Sequence, residues 1–578
     1  MSASTAEFSL GPKYFGVTMN EERFRELLRK RGVLYPANHP LRDDISGIDR
    51  REFVRITGAA GAALAMGGGS LGCLPGDSPM RGRGPAPDPV ERELALLALD
   101  EARSAGASYA DVRVSRHWNE SVSTREQQIT NVSKSDSYGI GVRALVGGSW
   151  GFSATRDLNR DAVASVAREA TAIASANDRV APSTTVLAPV EPIPDGRWVT
   201  PHTIDPFDVS VEEKSDLLFR ANEAALRVAG VQFVSSSIGS VKESRLVATS
   251  EGSVIQQTSI RMNPSMNITA VSSDRSDFQS RGAVAEPAGR GWEYVAGLDF
   301  PGNAPHWAEE AVMKLSAAPV DAGTWDLILH PSNLWLTIHE SIAHPTELDR
   351  TLGYEANYAG TSFIFPPEEA LNNLRLGQDF MTFMGNRTEE GGCATIGWDD
   401  EGVPATSWPI IKDGIFVNYQ TTREQAAWIA DETGVTNSLG CSYGMNWANI
   451  PFQRMPNVSL MPGDQDLSED DVIAATDRAI MVEGRGSYSI DQQRYNFQFA
   501  GQVFWEIRDG KKYRMLRDVA YQGRTPEFWN SMSVIGGPST YYLGATFGDA
   551  KGQPGQSNAV SHGCPMALFR DVKILNTA

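Results

Sequence analysis

The sequence predicts an α+β protein: an N-terminal α+β domain on an antiparallel sheet, then a large β-rich C-terminal domain carrying a helix with clustered His and Glu. Three observations predict this. Helix-periodic and alternating segments follow one another as helix, strands, helix from Val90 to about residue 190, and helix-then-strands recurs from Ser210. After about residue 390, short strand-like runs alternate with Gly/Pro turns. Between the two, Pro331 to His344 reads as a helix that Pro345 ends.

Val90 to Arg103 places Leu94, Leu97 and Ala98 on one side, and Gly106 is a natural stop. Tyr109 to Ser115 alternates with Val112 and Val114 on one face. Ser121 to Val132, Tyr138 to Val146 and Ser149 to Ala154 read as short strands broken by Gly, and Asn159 caps a second helix through Val163, Val166 and Ile173. Ser210-Val211-Glu212-Glu213 is a capping-box pattern before Leu217, Leu218, Ala221 and Leu226. Val231 to Ser240, Ser244 to Ser250, Ser253 to Asn263 and Met266 to Ser273 follow as strands, and His306 to Leu315 as a helix. Trp325 to Leu329 is a buried strand. Later strands are expected at Gly414 to Tyr419, Ser487 to Ile490, Tyr495 to Phe499 and Val503 to Ile507, with an inserted helix from Ser468 to Met481. The expected organisation is a leader at 1–74, a linker at 75–89, an N-terminal domain at 90–318 (in two sub-units, 90–190 and 200–318) and a C-terminal domain at 319–578.

Composition narrows the function. Of 578 residues, 41% are hydrophobic and 21% charged, which suits folded cores and excludes a disordered chain. A net charge of −19 argues against a nucleic-acid partner held through phosphate attraction. Cys73, Cys393, Cys441 and Cys564 are scattered, so neither a disulfide framework nor a Cys-based structural zinc module is expected. No run of strongly apolar residues is long enough for a permanent transmembrane span. In the leader, Asp49-Arg50-Arg51-Glu52-Phe53-Val54-Arg55 precedes an Ala/Gly-rich run and resembles a twin-arginine signal. That pattern leads us to expect export to the periplasm or beyond, with a lipid anchor at Cys73 as a further option and a mature chain starting near Val90.

His339-Glu340-Ser341-Ile342-Ala343-His344 carries the chemistry. Neutral imidazoles suit zinc, and a neighbouring carboxylate can take a proton from an activated water. The two His stand five apart, roughly 140° out of phase on an ideal helix, whereas HExxH stacks its His four apart. Both reach one ion only if the last turn is distorted, as by a π-bulge.

His339 to Asp349 (HESIAHPTELD), with Arg350 to Ser362 after it, resembles the TldD/PmbA family of zinc metallopeptidases, on the TldD side. Gly106 to Arg113, Gly139 to Arg143, Asp399 to Pro404 and Arg454 to Asn457 carry the likeness over roughly residues 90–578. The resemblance implies a peptidase for unfolded or extended peptides, working in a dimer cavity. The dimer is a heterodimer with a related TldE/PmbA-like subunit, or a homodimer. It makes His339 and His344 metal ligands and Glu340 the general base. The family's third ligand is a Cys; Asp549 stands at that position in Asp549-Ala550-Lys551-Gly552-Gln553-Pro554, with Cys564 or His562, or no third protein ligand at all, as alternatives. A His₂Asp set binds Zn²⁺ and makes Mn²⁺ or Co²⁺ more competitive.

Two rival functions remain at this stage: a catalytically decayed subunit acting as a scaffold, and a hydrolase of non-peptide amides. Asp399-Asp400-Glu401 reads as a hydrogen-bonded turn. Glu347 or Asp349 would orient an imidazole or pair with Arg350, and Cys393 and Cys441 are expected to be buried, inert thiols.

Overall fold

The computed structural model describes residues 84–578, apart from Pro182 and Val435, together with the short pair Lys13–Tyr14 and Val17–Thr18. Arg50-Arg51, the Ala/Gly run and Cys73 lie outside the described residues.

The fold is α+β, as expected, and its first sheet is longer-stranded than the sequence suggests. Tyr109–Arg125 and Gln128–Val146 form one hairpin, turned at Glu126 with φ 48°. Val231–Thr249 and Val254–Val271 form a second. Gly139, Gly239 and Pro264 do not interrupt these strands. Pro264 is tolerated because the outer partner of its strand, Phe278–Gly282, pairs only from Asn267 onward, so no ladder donor is lost. The two hairpins join where Tyr109–Arg125 pairs antiparallel with Val231–Thr249. The two helix-and-strand units therefore share one seven-stranded sheet, edged by Ser149–Thr155 and Gly196–Val199.

Period-two alternation gives the sheet two different faces. Val112, Val114, Ile140, Val142 and Ala144 pack under helices Pro89–Ser104 and Arg160–Asp178. Farther along the strands, Val122, Val234, Ile238, Met262 and Ile268 pack under Val211–Leu226 and Phe300–Ser316. Asn159 and Ser210 cap their helices through side-chain oxygens.

The opposite face carries buried charge and meets the C-terminal part. Arg113 and Arg143 donate to Asp111 at 2.7 and 2.8 Å, and Arg143 also donates to Glu401 at 3.0 Å. Arg245 donates to both oxygens of Asp400 and, at 2.6 Å, to the Gly444 carbonyl. Asp399 accepts from the amides of Glu401, Val403 and Ser442. The acidic triplet is thus a hydrogen-bonded turn that docks on the first sheet.

The C-terminal part is built on a ten-stranded mixed sheet. Its central strand Gly323–Leu329 runs parallel to Arg478–Glu483 and antiparallel to Ala567–Asn576. Burial on both faces explains its unbroken Leu327-Ile328-Leu329. Against it lies a smaller sheet containing Phe383–Asn386, Ser407–Lys412 and Asn457–Leu460, beside the hairpin Tyr542–Lys551/Gln556–Cys564. The helix expected over Ser468–Met481 is only Glu469–Ala474. Arg478–Glu483 supplies apolar residues to both sheet neighbours and is a strand, because pairing on two edges outweighs local helix preference.

Arg245 also pairs with Glu243, so Arg245→Met removes the guanidinium shared by Asp400 and Glu243 in the interior, and unfolding stability should fall by about 3–5 kcal/mol in denaturant titration; a loss below about 1 kcal/mol would show that the network does not hold the two parts together. Burial pushes the Glu243 carboxyl up, but Arg245, His117 and Arg261 outweigh it and hold it down at about 2. Its contribution is therefore complete above the ordinary carboxylate range and lost as pH falls toward 2. The wild-type protein should lose more stability than Glu243→Gln across that window.

Candidate metal centre

Pro331–Ile338 is wholly buried, with Leu334, Trp335, Leu336 and Ile338 in the core and the polar Ser332, Asn333 and Thr337 each hydrogen-bonded. His330 caps it, its Nδ1 accepting from the Ser332 amide at 3.2 Å. From His339 to Ala343 the helix widens to a π turn, and the His344 amide donates to the His339 carbonyl, five residues back. The extra residue in the turn is what the five-residue spacing requires. A 3₁₀ turn over His344–Thr346 follows. Side chains satisfy the displaced carbonyls: Thr346 Oγ1 donates to those of Ile342 and Ala343, and Gln420 Nε2 to that of Ala343.

The imidazoles of His339 and His344 lie 4.5 Å apart between ring centres. Asp549 reaches them from the hairpin Tyr542–Lys551/Gln556–Cys564. A bulge between Thr546 and Asp549 shifts the register there, and bulges redirect side chains. Asp549 Oδ1 is 3.8 Å from His339 Nε2 and 3.6 Å from His344 Nε2. Asp549 Oδ2 accepts from Arg454 at 3.0 Å, so the carboxylate is anchored through one oxygen and presents the other. An ion bonded at about 2.0–2.2 Å in tetrahedral geometry holds its ligands about 3.3–3.6 Å apart, so Asp549 Oδ1 stands at or near that separation from both nitrogens. Among the described residues, His339, His344 and Asp549 are the group that fits a metal ion.

The electrostatics agree with that fit. Burial, reinforced by Arg494, pushes His339 down to about 3. Burial and Arg350 push His344 well below the usual imidazole range. Both rings are therefore neutral, with lone pairs to give. Burial raises the carboxyl of Asp549, opposed by Arg454. It also raises that of Glu340, opposed by Arg494, whose guanidinium pairs with Glu340.

Glu347 both pairs and orients. Its Oε2 accepts from Arg350 Nε at 2.7 Å and lies 3.2 Å from His344 Nδ1. Lys551 and Arg350 hold its charge well below the usual carboxylate range, outweighing burial. Asp349 turns away to accept from Lys551 at 2.8 Å. His562 Nε2 meets His339 Nδ1 at 2.8 Å rather than joining the ligand cluster. Cys564 Sγ points to the Pro331 carbonyl at 3.6 Å. Burial raises Cys393 and Cys441 to about 11 and 12, consistent with inert thiols.

Sequence reasoning missed Arg494 and Arg454. Arg494 lies 154 residues from Glu340 with no local motif to mark it, and Arg454, which the sequence marks only through the likeness over Arg454 to Asn457, lies 95 residues from Asp549.

Comparison with known proteins gives three adjoining matches: to the PmbA/TldA metallopeptidase domain 1 over residues 110–174, the central domain over 204–318, and the C-terminal domain over 322–576. A metalloprotease of Methanothermobacter thermautotrophicus is 26% identical over 475 residues, covering 81% of this chain and 96% of that protein. A zinc metalloprotease TldD homologue of Saccharolobus solfataricus is 24% identical over 272 residues, covering 46% of this chain and 54% of that one. The crystal structure of TldE from Thermococcus kodakarensis superposes with a TM-score of 0.64 at 16% identity, covering 84% of this chain and 99% of that one, and so shares the fold.

These relatives correct the expectation of twin-arginine export, of a periplasmic or extracellular location and of a lipid anchor at Cys73. They are named as metalloproteases of archaea and bacteria, with nothing in the names pointing to export, and the family match starts well past Arg50-Arg51. Paired arginines before an Ala/Gly run are a short compositional pattern, and a basic helix start produces the same one. Among the described residues no helix is long and apolar enough to cross a membrane. With all three of its domain matches in order along the sequence, the chain belongs to the PmbA/TldA metallopeptidase family.

Proposed function

We propose that this chain is a metal-dependent peptidase of the HExxxH type, with His339, His344 and Asp549 as ligands and Glu340 as general base. The observation that carries the reading is the convergence of two neutral imidazole nitrogens and one carboxylate oxygen on a buried point, next to a carboxylate on the same helix turn. A bound divalent ion, Zn²⁺ by its donors with Mn²⁺ or Co²⁺ as competitors, supplies Lewis acidity that activates a water and polarises a carbonyl.

The chain's own groups do the rest. Glu340 accepts the proton of the attacking water and returns it to the leaving amine. Arg494 holds that carboxylate in place. Glu347 accepts a hydrogen bond from Nδ1–H of His344, which leaves Nε2 unprotonated and free to coordinate. Extended or unfolded peptides suit the β-rich walls, where backbone pairing reads main chain more than side chain. The fold shared with TldE supports assembly with a related subunit or with a second copy.

Metal analysis of the purified protein, paired with digestion of unfolded casein, tests this reading. Glu340→Gln should keep the metal and lose about 10²–10⁴-fold in rate; cleavage at wild-type rate with metal bound would remove Glu340 from the mechanism.

The ligand set has its own test. Asp549→Ala should abolish tight binding, whereas Cys564→Ala should leave it intact. Asp549→Cys should move preference toward zinc over Mn²⁺, because thiolate is the softer donor. Unchanged metal content in Asp549→Ala would exclude the carboxylate as a ligand.

A further inference from the structure

His562 is fully buried and both of its ring nitrogens are engaged. Nδ1 lies 2.9 Å from the Val458 carbonyl oxygen, and Nε2 lies 2.8 Å from His339 Nδ1. A carbonyl oxygen only accepts, so Nδ1 of His562 carries a hydrogen. A neutral His562 then has a bare lone pair on Nε2. Only a donor can occupy that contact, so His339 carries its hydrogen on Nδ1. The other nitrogen of His339, Nε2, is left unprotonated, and it is the one 3.8 Å from Asp549 Oδ1.

The alternative is a doubly protonated His562 donating at both ends. Its two hydrogen-bond partners are a carbonyl and another imidazole, so neither nitrogen meets a carboxylate, and a buried cation without one is costly.

We propose that His562 is a positioning residue that fixes His339 in the Nδ1–H tautomer and so presents its Nε2 lone pair to the ion. This rests on the ligand assignment of the preceding section and extends it to a residue outside the ligand cluster. The chain of bonds starts at a main-chain carbonyl in the strand Asn457–Leu460 and ends at the site. The His562 ring lies parallel to that of Trp335, 2° between planes and 6.3 Å between centres. Trp335 stands one helical turn before His339. Its indole approaches the hairpin closely because Gly544, the cross-strand partner of His562, has no side chain: a Cβ there would come within 2.1 Å of Trp335 Cγ. The same helix thus carries a ligand and the ring that holds the ligand's orienting partner.

The logic parallels His344, whose Nδ1 faces Glu347. The two imidazoles differ in the acceptor behind them. The Glu347 carboxylate, with the Arg350 guanidinium also 3.2 Å from Nδ1, stands behind His344, and a neutral imidazole stands behind His339.

The test uses the full chain in three forms. In wild-type apoprotein labelled with ¹⁵N at histidine, His339 should show a protonated Nδ1 and an unprotonated Nε2; a protonated Nε2 on His339 overturns the proposal without any variant. His562→Phe keeps a flat ring beside Trp335 but removes both nitrogens. Its Zn²⁺ affinity, measured by chelator competition, should fall about 10–100-fold, as for lost orienting partners at other metal sites. His562→Gln restores an acceptor at the Nε2 position through its side-chain oxygen and should recover most of that loss. Wild-type zinc affinity in both variants overturns the proposal, and so does an equal loss in Phe and Gln. If wild-type protein itself takes up no metal, the ligand assignment has failed; if it binds metal and only the His562 variants behave as wild type, this inference alone has failed.

Discussion

The hydrogen bond from the His344 amide to the His339 carbonyl, closing a π turn instead of an α turn, is the constraint on which the candidate centre depends. With α geometry, the five-residue spacing would place the imidazoles on different faces of the helix. The widened turn brings them together, and it frees carbonyls that need other donors. Thr346 and Gln420 supply those donors, and Trp529 Nε1 bonds Ser341 Oγ at 2.9 Å from the far side. The surrounding core therefore over-determines a conformation that the isolated segment has no reason to adopt.

The rest of the centre is assembled on that turn by long-range pairing. Asp549 enters on a bulged strand whose own carboxylate geometry is set by Arg454. The Glu340 carboxylate is held by Arg494, which also donates to the Ala359 carbonyl at 3.1 Å. Arg350 donates to that same carbonyl and to Glu347, behind His344. One main-chain oxygen thus joins the cations that hold the general-base candidate and the orienting carboxylate. Coupling of this kind keeps charged groups paired in a site nearly closed to water.

Burial of charge organises the larger architecture too. Asp400 and Glu401 meet Arg245 and Arg143 across the face of the first sheet that the helices leave open. Asp111, Arg113 and Arg143 are polar residues at strand positions where a two-layer sheet would expose them. They are buried because the C-terminal part covers that face. The arrangement exchanges a solvated polar face for a paired interior one, which is costly to break by removing a single partner.

Much of this was legible in the residues. The alternation at Val112 and Val114, the caps at Asn159 and Ser210, the buried strand ending at Leu329 and the distorted turn at His344 follow from local pattern and spacing, because each depends on neighbours within a few residues. Strand lengths were not legible: residues 133–137 and Pro264 look like breaks in the sequence, yet cross-strand partners carry the pairing through both. Nor was Arg478–Glu483, a strand only because two edges are there to receive it. The sequence alone determined which side chains could take part in the chemistry. Only the tertiary structure decided that His562 stands behind His339, Glu347 behind His344 and Arg494 beside Glu340. Those contacts join residues that chain order leaves unrelated or unoriented, and a hydrogen bond exists only when packing brings donor and acceptor within about 3 Å.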